Sequence, residues 1–323
     1  MYKLKKKLLY TVITLLTLII AGAFLLFIIN NKKHSDEHTI RMAVPIMSAS
    51  APLFIISEFN LMDKYLPNSK LELIVIESGN AMNEAMIANQ IDGMITGLIN
   101  FLFGANRNVP YKIFTSLSYS RSSIQTNESD IKSIYDVRNH HLIGINGLTG
   151  TVALLLSFTA EKYFGSFDAL NNQIVIMSPD DITLALINKT GISLAFSDIT
   201  GRVIQNKFGN PTILEDTELF NERVFTHYVI FNEKFLTENK ELISAFYLAL
   251  SESVKLINNR DDAALEVISK NFRIEKETLV EFLEKGFLVF ELDNFDSIDI
   301  LTDMAIKMGL ISTRKPLKEM VSR

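Results

Sequence analysis

The segment Gly144–Phe158, GINGLTGTVALLLSF, joins the predicted end of a short strand to the predicted start of a helix. The strand ends near Ile145, and the helix begins near Thr149 or Gly150. Backbone N–H groups are free in the first turn of a helix, and the helix dipole adds partial positive charge there. The segment therefore predicts an α/β fold in which this turn holds a polar ligand, or in which a threonine simply caps the helix.

The turn matches neither common nucleotide-binding motif. Its glycines follow the spacing Gly144-x-x-Gly147-x-x-Gly150, whereas dinucleotide-binding turns read G-x-G-x-x-G. It also lacks the Gly-Lys-Ser/Thr ending that brings a lysine to the phosphates of a nucleotide. What remains is bare backbone beside the hydroxyls of Thr149 and Thr151, which suits a carboxylate, sulfonate, phosphate or amide oxygen.

Strands and helices alternate outward from this segment in both directions. Helical stretches of roughly 10–15 residues separate the strands, which predicts right-handed βαβ crossovers and a mostly parallel sheet in each of two similar halves. Everything after Asn232 is predicted to be helical. The predicted strands are residues 39–45, 71–77, 93–96, 111–119, 141–145, 173–177, 192–197 and 223–231.

The N-terminal segment is apolar and is preceded by lysines. Residues 8–29 form an uncharged run of 22 residues, which at about 1.5 Å per residue is long enough to cross a bilayer. The lysines of KLKKK predict that residues 1–7 are a cytoplasmic tail, that residues 30–39 are a linker, and that the rest of the chain is extracytoplasmic. A cleaved signal sequence is the alternative to an anchor, because Ala21–Ala23 fits a cleavage site.

The composition excludes several classes of protein. The chain has no cysteine, which excludes disulfides, thiolate catalysis and attachment as a lipoprotein. Removing the six lysines of residues 1–33 from the 32 basic residues leaves 26 against 37 acidic residues, a net charge of −11. Nucleic-acid binding needs a positive surface, so it is not expected.

Catalytic and metal-binding patterns are sparse. The sequence contains no G-x-S-x-G, no H-E-x-x-H and no acidic loop with metal-binding spacing. His34 and His38 are four residues apart but have no third ligand nearby, so they are assigned to the solvated linker. His227 either faces a cleft or is a half-buried structural histidine. We therefore predict no metal, no cofactor and no enzymatic activity.

The order of the segments resembles a known family. The first strand is followed by PIMSASAPLF, and then come SGNAMNEAMIANQIDGMITGLINFLFGANRNVPYKIF, SIYDVRNHHLIGINGLTGT, PDDITLALINKTGISLAFSDI and THYVIFNEKFLTENKELISAFYLAL. From residue 40 to about residue 310 this order is similar to the solute-binding proteins of ABC importers in the nitrate/sulfonate/taurine and thiamine-pyrimidine-precursor group. The acidic turn ANQIDG and the phrase SIYDVRN before a strand are typical of that group.

The resemblance implies the type II periplasmic-binding fold, in which two α/β lobes are joined by two crossing strands and close on a ligand. Crossings are expected near residues 118–123 and 222–228, so that lobe 1 comprises 40–119 and 225–323 and lobe 2 comprises 120–224. The implied function is that of an extracytoplasmic, monomeric substrate-binding component for a small polar or anionic organic solute. Its partners would be an ABC permease with its ATPase, and its N-terminal helix would hold it in the cell membrane.

The resemblance also assigns ligand-binding residues to the carboxyl ends of strands, where open α/β sheets bind their ligands. The chain has no tryptophan, so Tyr119, Tyr228 and phenylalanines would stack on the solute instead. Members of the group are usually lipoproteins or soluble proteins, and the predicted anchor departs from that pattern. The assigned residues are Ser48, Ser50, Gly97, Asn100, Ser118, Ser120, Gly147, Thr149, Gly150, Thr151, Asp198, Thr226 and Tyr228.

Two other functions on the same fold stay open. A membrane-anchored ectodomain could sense a ligand, but its cytoplasmic tail of about seven residues would need a membrane partner to carry the signal. An enzyme is the second alternative. Hydroxymethylbilane synthase needs a cysteine for its cofactor, and a pyrimidine-precursor synthase would be intracellular, so neither enzyme of this fold fits the sequence.

Overall fold

The computed structural model describes residues 38–148, 150–220 and 223–322. The predicted cytoplasmic tail, the predicted anchor at residues 8–29 and nearly all of the predicted linker lie outside the described residues. Among the helices that are described, none combines the length and the apolar character needed to cross a membrane.

The described residues contain eleven strands. They are β1 (His38–Val44), β2 (Ser69–Val75), β3 (Gly93–Gly97), β4 (Tyr111–Ser120), β5 (Ser123–Thr126), β6 (Ile143–Ile145), β7 (Ile174–Ile176), β8 (Leu194–Ser197), β9 (Thr212–Glu215), β10 (His227–Asn232) and β11 (Leu288–Phe290). One sheet has the order β11-β4-β10-β3-β1-β2, and a second sheet has the order β7-β6-β8-β5-β9.

The α-helices lie between these strands and in the C-terminal third. They are α1 (Ala51–Glu58), α2 (Leu61–Tyr65), α3 (Gly79–Ile87), α4 (Leu98–Asn106), α5 (Thr151–Phe164), α6 (Pro179–Ile187), α7 (Ile199–Lys207), α8 (Thr217–Phe220), α9 (Glu233–Glu238), α10 (Lys240–Asn258), α11 (Asp262–Phe272), α12 (Lys276–Glu284), α13 (Ser297–Lys307) and α14 (Leu317–Met320). A short 3-10 turn, Ser48–Ser50, precedes α1.

Both sheets are mixed, so the prediction of mostly parallel sheets is wrong. β1 pairs in parallel with β2 and β3, and β6 pairs in parallel with β7 and β8, as the βαβ pattern predicts. β10 runs antiparallel to both β3 and β4, β11 is antiparallel to β4, and β5 is antiparallel to β8 and β9. The antiparallel pairs involve the strands that carry the chain between the sheets, and helical spacing cannot reveal those.

Other differences from the predicted elements have local causes. β5 lies between the predicted strands at 111–119 and 141–145, where no strand is predicted, and β9 is likewise not predicted. β11 contradicts the expectation that only helices follow Asn232. β5 escaped detection because its buried residues include Gln125 and Thr126, which break the apolar pattern. The apolar spacing of residues 51–66 suits a single helix, but the structure has two helices there, because Asn60 between them has a φ of 50° in the left-handed region.

Apolar spacing explains why the longest described helix forms where it does. In α10 the apolar residues recur at intervals of three and four, which places them on one face of the helix. That face packs toward α1 and α2. The buried apolar residues of α10 are Leu242, Ile243, Ala245, Phe246, Ala249, Leu250, Val254 and Ile257.

Separate apolar cores cover the two faces of the first sheet. The core on one face includes residues of α1, α10 and α11, and the core on the other face includes residues of α3, α4 and α13. Helices that belong with the second sheet reach into both. Leu154 of α5 is buried in the α4-side core, and Ile199 of α7 is buried in the α1-side core. The two halves of the protein therefore contact each other on both faces of the first sheet.

Candidate functional site

The chain passes between the two sheets twice in the described structure. β4 of the first sheet ends at Ser120, and β5 of the second sheet begins at Ser123. The return runs from α8, which ends at Phe220, to β10, which begins at His227. β10 starts opposite the carboxyl end of β3, with His227 paired to Gly97. Both passages therefore meet the edge of the first sheet at which open α/β sheets bind ligands.

Two serines of β4 are buried at this edge without hydrogen-bond partners. Ser118 and Ser120 alternate with Tyr119, whose ring lies in the α4-side core, so the two serines face the other side of the sheet. Their register partners on β11, Phe290 and Leu288, belong to the α1-side core. Neither serine hydroxyl is exposed to solvent, and neither has a hydrogen-bond partner.

Ser48 brings a third hydroxyl of this kind to the same face. It begins the 3-10 turn between β1 and α1, and this turn contacts β4 although β3 and β10 separate β4 from β1 in the sheet. The turn therefore crosses the edge of the sheet toward β4, the strand that carries the other two serines. Ser48 is fully buried, and its Oγ has no hydrogen-bond partner. We refer to Ser48, Ser118 and Ser120 as the serine cluster.

His227 lies beside the serine cluster on β10. Its register partner on β4 is Ser118, and a β-bulge follows between His227 and Tyr228. The ring is partly buried, with Nδ1 3.0 Å from Oγ1 of Thr226. Burial lowers the pKa of His227 to about 4, so the imidazole is neutral at pH 7. Of the two roles that the sequence left open, the structure shows the half-buried histidine, and contact of His227 with a ligand cleft stays a prediction.

The opposite wall of this edge is the first turn of α5. A Cβ built on Gly97 would lie 2.8 Å from Oγ1 of Thr151, the first residue of α5, and 3.7 Å from the carbonyl oxygen of Thr226. The amide of Leu98 donates to that carbonyl over 3.1 Å. The starts of α4 and α5 therefore face each other across the boundary between the two halves. A side chain at position 97 would require the Thr151 hydroxyl to move.

The glycines of the opening turn do not have a strained backbone. Gly150 is the N-cap of α5 with a φ of −101°, and its cap has no side-chain hydrogen bond. Gly147 is not among the glycines with positive φ. A Cβ at either position would meet no described atom within 4 Å. Contact of this turn with a ligand stays a prediction, and Thr149 lies outside the described residues.

Ser50 and Asn100 have partners within the protein. Ser50 Oγ donates to the carbonyl oxygen of Pro45 over 2.8 Å. Asn100 Nδ2 donates to Oγ1 of Thr96 over 3.2 Å, and the amide packs against Gly79 at the start of α3. Both side chains therefore stabilise local structure, and their contact with a ligand stays a prediction.

Asp198 and the two tyrosines also have roles in the fold. Asp198 caps α7, and its Oδ1 accepts a hydrogen bond from the amide of Gly201 over 3.0 Å. Burial raises the pKa of Asp198. Tyr228 is fully buried and donates to the carbonyl oxygen of Phe225 over 3.1 Å. Tyr119 is equally buried, so neither ring presents a face for stacking in this conformation.

A hydrogen-bonded carboxyl group at the passage between the sheets was not predicted. Asp216 follows β9 and accepts from the Tyr119 hydroxyl and from the Ser122 amide, each over 3.0 Å. The amide of Asp216 donates in return to the carbonyl oxygen of Ser122 over 2.9 Å. Burial raises the pKa of Asp216 to about 6. Asp216, which lies before the return passage, is therefore hydrogen-bonded to Tyr119 and Ser122 of the first passage between the sheets.

Two arginines share a carboxylate next to Asp216. Arg121 and Arg202 place NH1 atoms 2.8 Å and 2.6 Å from the oxygens of Glu215. Both guanidinium groups lie over the ring of Phe287, at 4.3 Å and 5.0 Å. A crevice of about 460 Å³ lies beside them between α7 and α12. Arg121 and Glu215 are 94 positions apart, so no local signal in the sequence could have paired them.

We refer to these groups together as the hinge cluster, which comprises Tyr119, Arg121, Arg202, Glu215, Asp216 and Phe287. The cleft edge beside it offers hydroxyl groups, a neutral imidazole and the free amides of a helix start. Within the described ranges, no group of three or more histidine or acidic side chains is placed to hold a metal ion. This arrangement can hold a small polar molecule by hydrogen bonds.

Solved structures with the same architecture bind small solutes. The aliphatic sulphonate binding protein SsuA of Escherichia coli is similar with a TM-score of 0.71 at 14% identity, over 88% of this chain and 92% of that one. The alkanesulfonate-binding protein of Xanthomonas axonopodis pv. citri, bound to MOPS, gives 0.72 at 12% identity, over 88% and 98%. The periplasmic nitrate-binding protein of Synechocystis PCC 6803 gives 0.70 at 12% identity, over 88% and 85%.

The sequence itself matches no protein-family model and no curated protein. At the identities given above, the similarity establishes the fold and leaves the ligand undetermined. It confirms the resemblance predicted from the order of segments: the chain has the two-sheet α/β fold of periplasmic binding proteins.

Proposed function

We propose that this protein is the extracytoplasmic substrate-binding component of an ABC importer. It captures a small polar or anionic organic solute between lobe 1, residues 40–119 and 225–323, and lobe 2, residues 120–224. It acts as a monomer, without cofactor or catalytic residues, and delivers the solute to a permease with its ATPase. Support comes from binding proteins for sulfonate and nitrate that share the fold.

One observation carries the proposal. Hydroxyls that are buried without partners in one half of the protein lie at the same sheet edge as the first turn of α5 from the other half. Buried polar groups are almost always paired with protein or with ordered water. Unpaired groups at the boundary between two lobes are therefore best explained by a ligand that completes them when the lobes close.

We also propose that residues 8–29 remain attached and anchor the protein in the cell membrane as a single span. The support is the unbroken apolar run beyond Ala23 and the absence of a cysteine for lipid attachment. Mass spectrometry of the membrane fraction should find the intact N-terminal segment. A mature N-terminus at or after Phe24 would contradict the anchor.

The function is tested by thermal melts of the full chain in detergent with taurine, alkanesulfonates, nitrate, aminopyrimidines and amino acids. A ligand at about one hundred times its Kd should add about 2.7 kcal/mol to the free energy of unfolding. Gly97→Val should abolish that shift, because its side chain would meet Thr151. Ser253→Ala is the control, since Ser253 is buried and bonded to Leu250 within α10.

Co-purification identifies the partner. A permease recovered with the protein supports the importer, whereas a sensor kinase recovered without a permease would contradict it. The proposal also fails if no compound in the panel shifts the melting temperature of the wild-type chain.

A further inference from the structure

The serine cluster is chemically unusual because its members are hydroxyls only. Ser48, Ser118 and Ser120 are each at most 3% exposed, and none of their Oγ atoms has a partner. A hydroxyl can donate one hydrogen bond and accept two, so the cluster matches groups that both donate and accept. It carries no charge that could compensate a charged ligand.

An acidic side chain close to the cluster disfavours an anion. Glu77 accepts from the amide of Ile46 over 3.0 Å, two residues before Ser48. His227, the neighbour of Ser118 in the sheet, is neutral at pH 7 because burial lowers its pKa.

The cation adjacent to the cluster in the chain is already engaged. Arg121 follows Ser120, but its NH1 lies 2.8 Å from Glu215 and its guanidinium lies over Phe287. Arg202 binds the same carboxylate from the other side. Arg121 Nε is buried without a hydrogen-bond partner, but an anion that took Arg121 as its counterion would share the guanidinium with Glu215.

We propose, building on the function proposed above, that the solute presents an uncharged hydrogen-bonding group to the serine cluster. A primary amide, a sulfonamide, a hydroxyl or a heteroaromatic nitrogen satisfies serine hydroxyls without a counterion. Burying an isolated carboxylate or sulfonate there is far more costly than burying a neutral polar group that is hydrogen-bonded. The solute class thus differs at this point from the sulfonate and nitrate named for proteins of the same fold.

The test compares isosteres that differ in charge. The full chain in detergent is titrated by calorimetry with ethanesulfonamide against ethanesulfonate, and with benzamide against benzoate, each up to about 10 mM. We expect the uncharged member of at least one pair to bind at least about tenfold more tightly than its charged partner. The double variant Ser118→Ala/Ser120→Ala should weaken that binding about tenfold or more, whereas Ser253→Ala should leave it unchanged.

Each other result overturns the inference. If a charged member binds as tightly as its uncharged partner, the inference fails while the proposed function gains support. If the uncharged member binds but the double serine variant binds equally well, the cluster is not the contact. If no member of either pair binds, the result counts against the inference, and the wider thermal-melt panel then decides whether the proposed function fails as well.

Discussion

Two groups of buried polar side chains lie next to each other along β4, and they differ in whether the protein satisfies them. In the hinge cluster, Tyr119 and Asp216 are hydrogen-bonded to each other, and Arg121 has a carboxylate partner. In the serine cluster, Ser118 and Ser120 have none. Tyr119 and the serines on either side of it thus differ: the Tyr119 hydroxyl has a partner within the protein and the two serine hydroxyls have none, although Arg121 Nε and Arg202 NH1 of the hinge cluster also lack a hydrogen bond.

The difference separates a structural role from a binding role. A satisfied buried group stabilises the folded state and is costly to break, whereas an unsatisfied one costs stability until something fills it. If this comparison holds, substitutions in the hinge cluster should reduce stability, and substitutions in the serine cluster should reduce affinity. The predictions below test the two roles in order of expected effect on stability.

The largest effects should appear as opposite pH dependences in Asp216→Asn and His227→Asn. Asp216 holds its proton in the folded state up to a pKa of about 6, against 3.8 for its ordinary value. Its contribution to the free energy of unfolding therefore falls as the pH rises from about 4 to about 6. His227 has a folded pKa of about 4 against 6.5, so its contribution is present above pH 6.5 and is lost as the pH falls toward 4.

Each contribution is about 3 kcal/mol, because one pKa unit corresponds to about 1.4 kcal/mol. In the wild type, the pH dependence that Asp216 gives to the free energy of unfolding is opposite in sign to that of His227, and both act between about pH 4 and about pH 6. Urea melts between pH 4 and pH 7 should show stability rising with pH in Asp216→Asn and falling with pH in His227→Asn, each relative to the wild type. Parallel profiles for all three proteins would contradict the burial of both groups.

The next largest effect should separate Tyr119→Phe from Ser118→Ala. Removing the Tyr119 hydroxyl takes a donor from the buried carboxylate of Asp216, so the free energy of unfolding should fall by about 1–3 kcal/mol. Removing the Ser118 hydroxyl deletes a group without a partner and should change stability by less than about 0.5 kcal/mol. Urea melts of the two variants check this directly, and equal losses would remove the basis of the comparison.

A smaller effect is expected for Phe287→Leu. The ring of Phe287 lies under the guanidinium groups of Arg121 and Arg202, and its loss should cost about 1 kcal/mol of stability. Phe208→Leu is the matched control, because Phe208 is 61% exposed. The same urea melts apply, and an equal change in both variants would show that the stacking does not matter.

The smallest effect on stability is expected for Thr151→Ala. The N-cap of α5 is Gly150, without a side-chain capping bond, so the loss should stay below about 0.5 kcal/mol. If Thr151 donates to the solute, affinity should fall roughly 5- to 150-fold, which corresponds to about 1–3 kcal/mol. Calorimetric titration with the panel compound that most raises the melting temperature measures this affinity in the wild type and the variant. Affinity within twofold of the wild type would limit Thr151 to a structural role.

The sequence predicted the groups that lie at strand ends and missed those that depend on distant pairing. Ser48, Ser118 and Gly97 follow from the rule that ligands bind at the carboxyl ends of strands, and the structure places them at one sheet edge. The hinge cluster had no such signal. Arg121 and Glu215 are 94 positions apart in the sequence and come into contact only in the folded chain, so no local pattern could have paired them.

The strands that were missed have a similar explanation. β5 contains buried Gln125 and Thr126 in place of apolar residues, and β11 has only three residues. Periodicity cannot be recognised over so short a stretch or through polar residues. Short strands and strands with buried polar residues are therefore the hardest to recognise in the sequence, even where, as with β5, they continue the chain from one sheet into the other.

The central claim is that the two halves close on a solute whose contacts complete the cleft edge. Because the chain has no native cysteine, Glu84→Cys and Asp180→Cys can carry spin labels at exposed positions, one in each proposed lobe. The distance between them is measured by electron double resonance with and without the compound that most raises the melting temperature. We predict that the distribution of distances between the two labels becomes shorter and narrower in the bound state. The Ser118→Ala variant should show the same change only at higher concentrations of the compound than the wild type needs. An identical distribution with and without saturating compound would contradict closure on a solute.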